Sequence, residues 1–323
     1  MPETMSEPRQ PRFVQRPVAD ARSARDEVVA GLQRVAAVAA PKHFYDRLGS
    51  QLFAAITELP EYYPTRTEAA IFERHGEALA RVVGPGVVLI DLGAGDCAKA
   101  ARLMPLLRPA RYVAVDISVE YLREALLALQ RLHPALEVLG IGTDFSTTLD
   151  LPDEATTGRP VFFYPGSSIG NFTPAEALAF LRRVRARAAG GGLVIGVDLV
   201  KPQDVLEAAY DDALGVTAAF NLNLLRHLNR IVGSDFEPRQ WRHVARYDSG
   251  LARIEMHLEA REALVVRWPD GERRFSAGER LHTENSYKYD AEAFAALLRD
   301  AGFTALQRWS DERGWFAVYW AAA

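Results

Sequence analysis

The sequence predicts an α/β fold: a doubly covered, mostly parallel sheet that ends in an antiparallel hairpin, with a second, smaller α+β unit attached. Three observations predict it. Between residues 87 and 198, short apolar runs alternate with helical spacings, several of the runs closing on an acid or a glycine. The first run, Val87-Val88-Leu89-Ile90-Asp91, feeds a G-x-G-x-x-A turn, Gly93-Ala94-Gly95-Asp96-Cys97-Ala98. Glycines there carry no Cβ, so a backbone can approach a nucleotide-like ligand closely. Finally, the last 34 residues read as a helix followed by two strands around a turn at 311–314, short enough for a hairpin.

Each element has its own signal. Residues 20–64 read as largely helical, with Val28, Leu32, Val35 and Ala39 at helical spacing, and end in the aromatic groups His43-Phe44-Tyr45 and Glu61-Tyr62-Tyr63-Pro64. A helix from near Thr67 to the early eighties precedes the glycine strand. Residues 112–116 form a strand, and Ser118 is placed to cap the helix carrying Leu122, Leu126, Leu129 and Leu132. Strands follow at 136–141 and 160–164. Thr173-Pro174-Ala175-Glu176 has the capping-box pattern with proline at the first helical position. Its arginines, from Arg182 to Arg187, read as a solvated face. Glycines 190–192 end that helix before a strand at 193–198. Beyond Lys201-Pro202 the pattern breaks: helical segments over 206–231 give way to strand-like alternation at 243–247, 252–258 and 263–268, with a turn at Pro269-Asp270-Gly271.

Composition bounds the rest. At 323 residues the chain can hold one large domain or two ordinary ones, and its net charge of −4 gives no electrostatic footprint for nucleic acid or an anionic membrane. The single cysteine, Cys97, excludes an internal disulfide; in its tight loop it reads as a tolerated small residue before a reactive thiol. The seven histidines have no metal-ligand spacing, so no metal is expected. Residues 1–19, rich in Pro, Arg, Glu and Gln, read as a mobile arm without the apolar core of a signal peptide. The expectation is a cytoplasmic, monomeric protein with a small-molecule substrate.

Asp116, about 20 residues past the glycine turn, can accept from both ribose hydroxyls of an adenosine, which suits NAD and S-adenosylmethionine (SAM) alike. Asp144-Phe145, one strand further, favours SAM: the acid can take the adenine amino group and the aromatic can cover the ring. A turn-forming aspartate is the competing reading. The closing hairpin also points to a SAM-dependent methyltransferase sheet, since nicotinamide dehydrogenases more often continue with parallel units. The loop 164–172 lies at the carboxyl edge where ligands bind in open α/β sheets, and Asn171 offers a donor and an acceptor. Thr283-Glu284-Asn285-Ser286 reads, on its own, as an exposed strand edge.

Together these motifs resemble the histidine-specific SAM-dependent Nα-methyltransferases of ergothioneine biosynthesis. The resemblance runs from about Phe44 to the end. It is carried by Phe44-Tyr45-Asp46, the segment 59–68, the glycine loop, Gly166-Ser167-Ser168-Ile169-Gly170-Asn171-Phe172, the segment 220–225, and Glu284-Asn285-Ser286. It implies three methyl transfers to the α-amine of L-histidine, giving hercynine. It also implies a Rossmann-like SAM domain (66–200 and 289–323) and a substrate domain (1–65 and 201–288). By the same resemblance Gly93, Lys99, Asp116, Asp144 and Phe145 surround SAM. Tyr62, with Tyr63 as the neighbouring alternative, Asn171 and Tyr210 hold the carboxylate. Tyr45, the catalytic candidate, and the backbone of Gly166 lie near the α-amine, Tyr45 also against the cofactor. Phe53 is an apolar wall, Glu284 and Ser286 grip the imidazole, and Met256 lies beside the ring. A methyltransferase for another aromatic amino acid such as tryptophan, an NAD-dependent oxidoreductase and a non-catalytic SAM-binding module remain the alternatives.

Overall fold

The computed structural model describes residues 9–15 and 21–323. A short strand, β1 (Arg12–Gln15), precedes α1 (Ala21–Leu32), a 3-10 turn at Pro41–Phe44, and α2 (Arg47–Thr57). Helix α3 (Tyr63–Val83) then leads into β2 (Val88–Leu92), α4 (Ala98–Leu107), β3 (Arg111–Asp116), α5 (Val119–Leu132) and β4 (Glu137–Gly142). Next come α6 (Asp153–Thr156), β5 (Pro160–Tyr164), α7 (Pro174–Arg187) and β6 (Gly192–Asp198). The chain leaves the sheet for α8 (Gln203–Ala208), α9 (Val216–Val232), β7 (Trp241–Asp248), β8 (Arg253–Ala260), β9 (Leu264–Trp268), β10 (Gly271–Phe275) and β11 (Arg280–Tyr287). It returns through α10 (Ala291–Asp300), β12 (Ala305–Ser310) and β13 (Phe316–Ala322).

The main sheet has eight strands in the order β1-β4-β3-β2-β5-β6-β13-β12. Neighbours from β1 to β6 pair in parallel, whereas β13 runs antiparallel to both β6 and β12. This is the Rossmann-like sheet with an inserted reversed strand that the sequence predicts. The strand order reverses between β2 and β5, so the loops after those two strands open into one crevice. Strands β2, β5 and β6 are buried along their whole length, as parallel strands covered on both faces must be.

Several local details differ from the sequence reading. Arg12–Gln15 belongs to no mobile arm: it adds a parallel strand beside β4, with Phe13 packed where Gly140 has no side chain. Four residues of mixed polarity give no periodicity to detect. The remaining parts of the expected arm, 1–8 and 16–19, lie outside the described residues. Helix α3 starts at Tyr63 with Pro64 in its first turn, four residues earlier than expected. The capping box at Thr173 and Glu176 forms with both reciprocal bonds. Ser118 takes the N-cap position of α5 as expected, but its side chain makes no capping bond; its hydroxyl donates instead to the Tyr45 carbonyl at 2.8 Å. The α7 arginines are not merely solvated: Arg183 and Arg185 donate to the Ser146 and Gly302 carbonyls, both at 2.9 Å, and tie loops to the helix.

A separate apolar core joins α1, α2 and the start of α3 to α8, α9 and β7–β11, with Leu32, Phe44, Tyr63, Leu224, Trp241 and Leu281 at its centre. Here β11-β8-β7 and β10-β9 form two small antiparallel sheets. Among the described residues no helix is long and apolar enough to cross a membrane.

Candidate active site

The glycine turn after β2 forms a cradle. Gly93 and Gly95 hold φ of 73° and 53°, in the left-handed region that suits glycine, and a Cβ at Gly95 would meet nothing within 4 Å. The turn is anchored by Asp116, whose carboxylate accepts from the Gly95 amide at 2.9 Å and the Ser118 amide at 2.8 Å. Burial raises the Asp116 pKa against these two bonds. Phe145 reaches back to the cradle, its Cζ 3.7 Å from where a Gly93 Cβ would sit. Asp144 is the turn-forming aspartate of the competing reading, and it also holds a lysine. One oxygen closes a turn with the Ser146 amide at 2.9 Å, and the other takes Lys42 Nζ at 3.0 Å. Burial opposes its ionisation, yet the Ser146 and Lys42 bonds hold its carboxyl below the ordinary value. Open backbone, a ribose-competent acid and a covering aromatic ring fit an adenosine-bearing ligand such as SAM. Cys97 is 1 % exposed, and burial pushes its thiol pKa up, which leaves it inert.

Beside this cradle lies a pocket lined by residues of the loop after β5 and of the separate apolar core. All nine residues expected around the amino acid substrate line it: Tyr45, Phe53, Tyr62, Gly166, Asn171, Tyr210, Met256, Glu284 and Ser286. One wall is aromatic, with ring centroids 5.8 Å apart from Tyr45 to Phe53, 6.2 Å from Phe53 to Tyr62 and 6.3 Å from Tyr62 to Tyr210. Tyr63 is excluded from it, because its hydroxyl donates to Asp198 at 2.7 Å in the buried layer behind. Burial raises the pKa values of Tyr45, Tyr62 and Tyr210 well above the phenol range, so all three remain O–H donors at neutral pH.

Gly166 is positioned by a residue the sequence reading gave no role. Glu68, 1 % exposed on α3, accepts from the Gly166 amide at 2.8 Å and from Lys99 Nζ at 2.7 Å. The Gly166 N–H is therefore occupied, and its carbonyl is the backbone polar group left for a ligand. Gly196 has no side chain because a Cβ there would collide with the Glu68 carboxylate. One buried acid thus holds both Lys99, expected beside the cofactor, and the backbone of Gly166, expected beside the substrate.

Glu284 and Ser286 face the pocket because β11 is bulged. Opposite residues on paired strands share a face, and His282 pairs with His257 while Glu284 pairs with Met256, the next residue along β8. The extra residue, Thr283, is fully buried and spends its hydroxyl on the Met256 carbonyl at 3.0 Å. His282 and Glu284, two apart, consequently lie on opposite faces. This overturns the reading of 283–286 as an exposed edge: Glu284 and Ser286 are 8 % and 4 % exposed. Burial pushes the Glu284 carboxyl up to about 7, against the pull of the Lys288 ammonium.

Behind the pocket sits a buried polar layer that sequence reasoning missed. Lys288 donates to Ser286 Oγ at 2.8 Å and Tyr210 Oη at 3.0 Å, and pairs with Asp198 at 2.9 Å. Asp198 also takes Lys201 at 2.5 Å. Burial works against an ionised Asp198, but the two ammonium groups hold its carboxyl below the usual value; burial in turn lowers Lys201 to about 8. A signal for Lys288 exists in the sequence: Glu284, Ser286 and Lys288 recur with the period of a strand face. Phe220, on α9, stacks on Phe44 at 4.5 Å and completes the apolar floor.

Comparison with known proteins agrees with this geometry. The chain is 40% identical over 306 residues to the histidine N-alpha-methyltransferase of Mycolicibacterium smegmatis, covering 92% of this chain and 94% of that one. It is 39% identical, with the same coverage, to the histidine N-alpha-methyltransferase of Mycobacterium tuberculosis. An N-methyltransferase of Aspergillus flavus is 27% identical over 301 residues, covering 89% of this chain and 82% of that protein. Residues 24–323 match the family model described as histidine-specific methyltransferase, SAM-dependent, so the match embraces both the glycine cradle and the bulged strand. The chain belongs to the family of histidine-specific SAM-dependent methyltransferases.

Proposed function

We propose that the protein is an L-histidine Nα-methyltransferase that transfers three methyl groups from SAM to the α-amine, giving hercynine in ergothioneine biosynthesis. The observation that carries this reading is the single pocket in which the expected carboxylate, amine and imidazole partners converge beside the glycine cradle. In the proposal, residues 66–200 and 289–323 hold SAM, with β1 added to their sheet. Residues 21–65 and 201–288 hold the amino acid, together with the loop at Gly166 and Asn171 that the SAM domain contributes.

SAM supplies a methyl group on a sulfonium. The amine lone pair forms the new N–C bond as the C–S bond breaks and its electrons return to sulfur. Positive charge moves from sulfur to nitrogen without new net charge, so alignment and desolvation matter more than a charge-stabilising hole. Each product ammonium, after the first and second transfers, loses a proton before the next attack. Tyr45 stays a neutral phenol at working pH, so it orients the amine, with the Gly166 carbonyl as the acceptor on the other side, and protons leave through water. In Tyr45→Phe we expect kcat to fall roughly 10-fold with SAM affinity retained, the scale of one lost orienting bond. An unchanged rate for all three transfers removes Tyr45 from the mechanism.

The imidazole end is matched to a two-nitrogen ring. Glu284, poised near neutrality, shares one proton with one nitrogen, and Ser286 Oγ accepts from the other N–H. An indole offers a single N–H to this pair. Mass spectrometry of histidine incubated with SAM and the protein should show mono-, di- and trimethylated products. No methylated histidine, or faster methylation of tryptophan in the parallel reaction, overturns the reading.

A further inference from the structure

The proposed substrate carries a carboxylate, yet among the described residues no lysine, arginine or histidine lines the pocket, and Glu284, an acid, is the one ionisable carboxyl or cationic group there. A carboxylate held only by neutral phenol and amide donors next to an acid would be poorly bound. The missing charge lies directly behind. Asp198 is one carboxylate shared by two ammonium groups, Lys201 and Lys288, so this buried layer carries one positive charge in excess. Lys201 spends its bonds on Asp198, Tyr63 and a backbone carbonyl, away from the pocket lining. Lys288, whose side chain is fully buried, turns toward the lining, its ammonium on Tyr210 Oη and Ser286 Oγ and 4.7 Å from the centre of the Tyr210 ring. Lys99, the other nearby cation, is neutralised by Glu68.

On the reading that Tyr210 holds the substrate carboxylate, we propose that Lys288 is the counter-charge for that carboxylate, a positioning residue that acts through Tyr210 and Ser286 without touching the ligand. Its three N–H groups are all used, by Asp198, Tyr210 and Ser286, so it has none left for the ligand. What it does is polarise and direct. Both hydroxyl oxygens accept from Lys288, and they lie 2.7 Å apart, so one of the two hydroxyl protons bridges them. With a carboxylate in place, Ser286 donates to Tyr210, and the Tyr210 proton goes to the ligand. Ser286 then keeps a lone pair for the imidazole N–H.

The test compares histidine with histidinamide, which keeps the imidazole and α-amine but carries a neutral amide. Calorimetry with S-adenosylhomocysteine present gives the Kd of each. In Lys288→Met, histidine affinity should fall about 50-fold and histidinamide affinity at most about threefold, because the charge–charge component is lost only for the acid. Lys288→Gln, which keeps donors but not charge, should show the same change of ratio and covers the case in which the methionine variant does not fold. A histidine-to-histidinamide ratio within threefold of wild type, in whichever variant folds, overturns the proposal, since a purely structural lysine weakens both ligands alike. Wild-type protein that methylates histidine while the ratio stays fixed leaves the functional reading standing and this inference overturned. Wild-type protein that binds neither ligand overturns both.

Discussion

Glu284→Ala is expected to raise the histidine Kd roughly 1000-fold while the Kd for SAM stays within about threefold, because a pocket built on hydrogen bonds to a ring nitrogen loses its partner and gains nothing. Parallel calorimetry with each ligand reads this directly, and equal loss of both would place Glu284 outside the substrate site. The same residue carries an opposite effect on stability. Its carboxyl is raised from 4.5 to about 7 in the folded chain. A raised folded pKa means the acid contributes stability fully below about 4.5 and loses it as pH rises through about 7. Above that range the ligand-free protein bears the cost of a buried carboxylate, on the order of 3 kcal/mol. Glu284→Gln should therefore melt about 5 °C higher than wild type at pH 8.5, and together with it at pH 4.5. Coincident melting at both pH values would show that the acid is not destabilised by burial.

Glu68→Ala should weaken both ligands together and lower kcat/KM for histidine roughly 300-fold. The variant frees Lys99 on the cofactor side and leaves the buried Gly166 amide without an acceptor, which lets the loop after β5 rotate its carbonyl away from the amine. The two halves separate in Glu68→Gln, whose amide oxygen can still accept from Gly166 while its NH2 faces the Lys99 ammonium. That variant should recover histidine affinity but not SAM affinity. Unchanged Kd values for both ligands in Glu68→Ala would mean that Lys99 and Gly166 are held by the rest of the fold.

The sheet was readable because its signals are local and repeated: apolar runs ending at Asp91, Asp116 and Asp198, helices opened by Thr173 and Asp290, and a terminal hairpin around Asp311. The pocket was readable only through family motifs. Tyr45, Asn171, Tyr210 and Glu284 come from four distant segments, and nothing in their spacing says that they meet. What stayed hidden has a physical reason in each case. The bulge at Thr283 is one residue in a strand of otherwise ordinary alternation, yet it reverses which face Glu284 presents. Lys288 looks like any surface lysine until its burial against Asp198 is seen. Ser118 matches a cap in sequence, but the Tyr45 carbonyl competes for its hydroxyl, a contact 73 residues away.

β1 has a bearing on how this enzyme keeps to itself. A parallel sheet of this kind ends on β4, whose outward row of N–H and C=O groups is a template for any extended chain that drifts past. Residues 12–15 occupy that row along Leu139 to Gly142, and Phe13 fills the groove left by Gly140. The protein thus supplies its own partner for the open edge. The edge of the sheet is thereby moved out to a strand of four residues, and so short a strand is a poor template for another chain.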